Sequence, residues 1–120
     1  MKKIAIVDDA EFMRKFITKF LREINVEIVG EASTADEGVS LYKTTHPDLI
    51  TMDITMPNKS GLEAIKEIID YDPNATILVI SSIGNDLIIM QALELGAKNF
   101  VVKPFKKEKL IKTVKSLLDL

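Results

Sequence analysis

The sequence predicts an α/β fold: a parallel sheet with helices on both faces. Three observations lead there. Short β-rich apolar runs alternate with longer stretches of helical periodicity, and the pattern repeats five times. The runs are near-continuously apolar, as expected of strands buried on both faces. Four of them also end in a polar residue able to do chemistry, as open parallel sheets place their functional groups.

Taken in order, Ile4-Ala5-Ile6-Val7 reads as the first strand and stops at Asp8-Asp9. Met13, Phe16, Ile17, Phe20, Leu21 and Ile24 then recur at helical spacing and form the expected apolar face of a helix. Glu27 to Ala32 is a short second strand. Thr34 followed by Glu37 is a capping box opening the second helix, and the His46-Pro47 step closes it. The third strand, Leu49-Ile50-Thr51-Met52, ends at Asp53. Ser60 and Glu63 form a second capping box, starting a helix with Leu62, Ile65, Ile68 and Ile69 on one face. Asp72-Pro73-Asn74 is a turn. The fourth strand, Ile77-Leu78-Val79-Ile80, reaches Ser81. A helix from about Asn85 to Leu95 follows, with Gly96 as its left-handed terminator. Phe100-Val101-Val102 leads to Lys103-Pro104, and Leu110, Val114, Leu117 and Leu118 mark a final amphipathic helix.

Bulk properties narrow the function classes. The 120 residues fit one domain, 1–120, with its own core; no linker or repeat divides them. A net charge of −2 argues against a nucleic-acid module. The absence of cysteine removes disulfides, thiolate metal sites and redox thiols. No apolar stretch reaches spanning length, and Asp8-Asp9 ends the first run too early for a signal peptide. A cytoplasmic location is expected.

In one parallel sheet, Asp8, Asp9, Asp53, Ser81 and Lys103 converge at one edge. Clustered carboxylates either raise a pKa or bind a cation. Oxygen ligands without Cys or His favour a hard divalent ion, most simply Mg²⁺, one per monomer. The cluster reads as a metal-assisted phosphoryl site.

The motifs Ile6-Val7-Asp8-Asp9, Met13-Arg14, Met52-Asp53-Ile54-Thr55-Met56-Pro57, Gly61, Ser81, Gly96-Ala97 and Phe100-Val101-Val102-Lys103-Pro104-Phe105 resemble those of response-regulator receiver domains. The resemblance covers the whole chain and is greatest to the free-standing chemotaxis members. It implies a (βα)5, flavodoxin-like doubly wound sheet in the order 2-1-3-4-5, which residue pattern alone does not give. It also implies that Asp53 takes a phosphoryl group from a histidine kinase of the chemotaxis type. By the same resemblance Asp9, Asp53 and the Thr55 backbone carbonyl ligate Mg²⁺, and Asp8 holds it mainly through water. Lys103 pairs with the phosphoryl oxygens, Ser81 donates a hydrogen bond to them, and the Lys103-Pro104 peptide is cis. Movement of Ser81 would free space for the Phe100 ring, reshaping a partner surface of Leu87, Met90, Phe100 and Lys103. Phe100 equally fits simple core packing, and Leu87 and Met90 fit scattered apolar exposure. Lysines 106, 107, 109, 112 and 115 form a solvated face that could also steer an acidic partner.

With nothing after Leu118 to relay a signal, the expected product is a monomeric switch that binds a separate target. A motor switch protein, an adaptor or a phosphatase all fit. The chain departs from the commonest family pattern at Phe100, where tyrosine is frequent. Thr55 and Ile83, two past the phosphoacceptor and two past the switch hydroxyl, offer no carboxylate or amide to orient water, so slow self-dephosphorylation is expected. Two other classes compete, besides a non-chemotactic phosphorelay role. An aspartyl-phosphate phosphatase or phosphotransferase of the haloacid-dehalogenase type needs a second aspartate where Thr55 stands. A flavodoxin-like electron carrier needs a phosphate-cradling loop where Asp8-Asp9-Ala10-Glu11 would repel phosphate.

Overall fold

The computed structural model of the chain describes residues 1–120. Ten elements alternate: β1 (Lys2–Val7), α1 (Glu11–Leu21), β2 (Val26–Ala32), α2 (Ala35–Thr45), β3 (Leu49–Met52), α3 (Gly61–Tyr71), β4 (Ile77–Ser81), α4 (Asp86–Leu95), β5 (Asn99–Val102) and α5 (Lys107–Leu118). The strands form one parallel sheet in the order β2-β1-β3-β4-β5. The α/β class, the five strand–helix units and the 2-1-3-4-5 order all agree with expectation.

Strand alternation divides the interior into two unequal cores. Ala5, Val7, Ile50, Met52, Ile77 and Val79 face α2, α3 and α4, where Tyr42, Ile65, Ile68 and Ala92 meet them. Ile4, Ile6, Leu49, Leu78, Ile80 and Val101 face α1 and α5, against Ile17, Leu21, Leu110, Val114 and Leu118. The inner strands are thus apolar on both sides except at Thr51 on β3, whose buried hydroxyl has no partner, and at Ser81, which ends β4. Each fully buried Ile or Leu contributes about 1.5–3 kcal/mol by leaving water.

Helix boundaries follow local chemistry. The Ser60–Glu63 capping box forms as expected: Ser60 Oγ accepts from Leu62 N at 3.0 Å, and the Glu63 carboxylate accepts from Ser60 N at 3.1 Å. At α2 the expected box is only half made. Thr34 Oγ1 caps Glu37 N at 3.1 Å, but the Glu37 carboxylate turns to Ser33, accepting from its N–H and its hydroxyl. Those bonds hold the Glu37 carboxyl below the usual range. His46 closes α2 in the left-handed region, and Gly96 closes α4 at φ 120°. At the foot of α2 and α3 the Tyr42 hydroxyl donates to Asp72 at 2.7 Å, while His46 stacks on Tyr71.

Two side chains depart from the apolar faces read in the sequence. Phe16 was expected in the core and is 49% exposed. The α1 inner face centres on Ile17 and Leu21, and Phe16 lies a full 100° away, in contact with the Phe12 and Phe20 rings instead. On α4, spacing of 100° per residue puts Ile89, Ala92 and Leu93 on one face, yet Leu93 is 43% exposed. This helix sits beside the sheet edge, and Ala92 is its single fully buried residue. Leu87 and Met90, which lie off that face, are exposed, and Ile83 and Val102 join them.

Candidate functional site

The strand order brings the chemistry together. Val7 pairs with Met52, so β1 and β3 end side by side, and Asp53 N donates to Val7 O at 3.1 Å to extend that pairing by one residue. Ser81 pairs with Val102 at the ends of β4 and β5, and Lys103 N donates to Ser81 O at 2.9 Å. Asp8, Asp53, Ser81 and Lys103 therefore sit on four neighbouring strand ends. The α3 N-terminus is pressed against this edge: Gly61 N donates to Ile54 O, and a Cβ on Gly61 would lie 2.0 Å from the Asp53 carbonyl oxygen. Only glycine permits that approach.

One carboxylate oxygen from each of Asp8, Asp9 and Asp53 lies within 4.8 Å of the others. Their surroundings differ. Asp8 is buried; its Oδ1 accepts from Ala10 N at 2.9 Å, and its Oδ2 from Lys103 Nζ at 2.6 Å. Asp9 is exposed at the mouth of the cluster. Asp53 is 3% exposed. Its Oδ1 accepts from Thr55 N at 3.1 Å and Thr55 Oγ1 at 3.2 Å, while its Oδ2 lies 3.6 Å from Lys103 Nζ. Burial pushes the Asp53 carboxyl above its ordinary pKa, and the Asp8 charge adds to that push. Lys103 and the Thr55 bonds oppose it without cancelling it.

Lys103 stands closer to Asp8 than to Asp53, so its strongest partner here is the carboxylate expected to touch the metal only through water. Its peptide bond to Pro104 is cis. Ser81 is fully buried, and its hydroxyl lies 3.2 Å from Thr55 Oγ1 and accepts from Ile83 N at 3.3 Å. Thr55 thus enters the site through its hydroxyl, linking Asp53 to Ser81, a role its side chain had not been assigned. Phe100 is half-buried against the larger core, and Leu87 and Met90 on α4 are exposed.

Two further contacts were not anticipated. Arg14, one turn into α1, donates from Nη1 to the Asp8 carbonyl at 2.6 Å and from Nε to Glu31 at 2.9 Å. Lys59, next to the left-handed Asn58, ties the β3–α3 loop to Asp36 at 2.7 Å and also pairs with Glu67. Both join residues far apart in sequence, and only the Met13-Arg14 pair had stood out as a motif.

The three-carboxylate donor set fits a hard divalent cation: it is all-oxygen and partly open to water on the Asp9 side. No helix is long and apolar enough to cross a membrane.

Comparison with known proteins agrees with this geometry. Residues 4–115 match the model for the response regulator receiver domain. Chemotaxis protein CheY of Thermotoga maritima is 43% identical over 113 residues, covering 94% of each chain. Protein CcdB of Bacillus subtilis is 42% identical over 118 residues, covering 98% of each. Among solved structures, CheY in the CheX-CheY-BeF3-Mg+2 complex from Borrelia burgdorferi superposes with a TM-score of 0.94 at 33% identity, covering 97% of this chain and 88% of that one.

Proposed function

The chain belongs to the response regulator receiver family and is CheY-like, and from that premise we propose that it is a phosphorylation switch acting on Asp53. The observation that carries the reading is the Asp53 carboxylate, buried beside Asp8, Asp9 and Lys103 with the Thr55 and Ser81 hydroxyls on its flank.

A carboxylate attacks phosphorus only when the charge around both is neutralised. Asp9 and Asp53, with the Thr55 carbonyl, would hold Mg²⁺, and Asp8 would act through water. The bound ion supplies positive charge for the phosphoryl oxygens. Lys103 lies close enough to Asp53 to contribute its ammonium to the same task. One Asp53 oxygen forms the new bond to phosphorus as the bond to the donor imidazole nitrogen breaks, and the imidazole leaves with that electron pair. The acyl phosphate carries a charge of roughly −1.5 to −2, against −1 for the carboxylate it replaces. Lys103 is then drawn from Asp8, and the Ser81 hydroxyl from Thr55, towards the new oxygens. Phe100 and the exposed Leu87 and Met90 on α4 would register those shifts as a partner surface.

Chemotaxis or motility control is the setting we infer, with a chemotaxis histidine kinase upstream. The support is that a relative named chemotaxis protein CheY matches over 94% of its own length. A motor switch protein or an adaptor is the inferred target and a phosphatase a further inferred partner; that the similar CheY of Borrelia burgdorferi was solved bound to CheX supports action through a separate protein. The unit proposed is one receiver domain, residues 1–120, in the cytoplasm.

Incubation with acetyl phosphate and Mg²⁺, followed by intact mass measurement, tests the chemistry. Wild type should gain one phosphoryl group only when Mg²⁺ is present, and Asp53→Asn none. An equal adduct on the variant, or none on wild type, would refute the assignment.

A further inference from the structure

We propose that Arg14 is a positioning residue that orients the acidic pocket for its cation by fixing the Asp8–Asp9 peptide plane. The inference rests on the metal reading above and adds a residue and a mechanism to it.

Asp9 is the exposed member of the triad, and its carboxylate makes no hydrogen bond to any protein group. With no side-chain partner, the constraint the protein places on it is its backbone, which fixes where the Asp9 Cα–Cβ bond points. The strand ladder that fixes β1 stops one residue too soon to do this: Asp8 N still donates to Ala32 O at 3.0 Å, but no backbone N–H reaches the Asp8 carbonyl. That carbonyl shares a rigid plane with the Asp9 nitrogen and Cα. Arg14 Nη1 meets it at 2.6 Å, and the same guanidinium is held from behind by Glu31 at the end of β2. The arginine side chain is 15% exposed and its contact with the Asp8 carbonyl is partly buried, whereas Glu31, at 42% exposed, holds the guanidinium from the solvent side. A planar, always-charged fork suits this two-point task, and a lysine ammonium does not reproduce it. The route runs from Glu31 through Arg14 to the Asp8 carbonyl, and from there to the Asp9 carboxylate.

Positioning and plain electrostatics give opposite signs here, which makes the inference decidable. Arg14 is a cation beside a cation site, so by charge alone its removal should tighten Mg²⁺ binding. If it positions Asp9, its removal should weaken binding despite that relief. Outer residues that orient metal ligands commonly change affinity by about 10–100-fold, and the opposing charge effect places the expected change near the lower end.

The test is calorimetric titration of the folded proteins with Mg²⁺ alone, with circular dichroism to confirm folding. Arg14→Gln should raise Kd by about 10-fold. The pair Arg14→Gln with Glu31→Gln should do the same while leaving net charge unaltered. Arg14→Lys, which keeps the charge and loses the fork, should fall between wild type and Arg14→Gln. Wild-type or tighter affinity in Arg14→Gln and in the pair would overturn the proposal. Should the glutamine variants lose structure, Arg14→Lys alone decides, and an unchanged Kd there refutes it. Wild type that bound no Mg²⁺ would instead overturn the metal reading and this inference together; wild type that bound it while the variants bound equally well would overturn only this one.

Discussion

Replacing Asp53 by asparagine should stabilise the metal-free protein, although it abolishes the proposed phosphoacceptor. The three carboxylates place oxygens within 4.8 Å of one another. At an effective dielectric constant of about 20, each like-charge pair at that distance costs about 3.5 kcal/mol. The Asp53–Lys103 pair at 3.6 Å returns about 4.6 kcal/mol on the same scale. Two repulsions against one attraction leave Asp53 unfavourable by about 2 kcal/mol, and its burial adds to that. Asparagine removes the charge and keeps an oxygen for the Thr55 N–H. The expected gain is therefore about 2 kcal/mol, or roughly 6–10 °C in Tm for a domain of this size.

The pH dependence carries the sign. The folded carboxyl is raised above its unfolded value of about 3.9. Below the unfolded value Asp53 is protonated in both states and costs nothing. The penalty grows as pH rises through the folded value and is complete above it. The advantage of Asp53→Asn should be larger at pH 7.5 than at lower pH and shrink as pH falls towards 4. Thermal and urea unfolding in EDTA measure it, and millimolar Mg²⁺ should narrow the gap by stabilising wild type more. A metal-free variant no more stable than wild type at pH 7.5 would refute the reasoning.

Gly61→Ala should destabilise the fold by about 3 kcal/mol and slow phosphoryl uptake, because its Cβ would collide with the Asp53 carbonyl; urea unfolding and intact mass measure the two effects. Tyr42→Phe should cost about 1.5 kcal/mol at neutral pH by removing the bond to Asp72. That bond holds the Asp72 carboxyl below its ordinary value, so the loss should fade as acid protonates Asp72, and phosphoryl uptake should stay at the wild-type rate. The acyl phosphate should persist for longer than about a minute without a phosphatase, since Thr55 offers only a hydroxyl and Ile83 only carbon to an attacking water. Thr55→Asn should shorten that lifetime in a mass-resolved decay, and an unchanged lifetime would count against the account.

The fold was legible where local rules and burial agree. Near-continuous apolar strands, the Ser60–Glu63 cap and Gly96 all follow from neighbours in sequence. Strand order came only from family resemblance, because periodicity does not say which strands lie side by side. Phe16 and Leu93 were misplaced because a helix face read from spacing has no fixed centre until its neighbours define one. Of the proposed site, the aspartates, Ser81 and Lys103 were legible as strand ends. The contacts of Arg14 with Glu31, Lys59 with Asp36, and Thr55 with Ser81 span 17, 23 and 26 residues, so only the folded geometry pairs them.

The Lys103–Asp8 pair has one more consequence. Its partners are 15% and 1% exposed, so mobile ions cannot enter between them. Screening over about 8 Å in physiological salt acts on charges that face solvent, such as the exposed lysines of α5. The two halves of the response should then part company as ionic strength changes. On the proposed function, the exchange of Lys103 between Asp8 and an acyl phosphate should respond little to salt, whereas the rate at which an acidic partner reaches the exposed lysines should fall. Were the proposed switch at work, a drift in ionic strength would leave its internal setting in place and change mainly the speed of partner encounter.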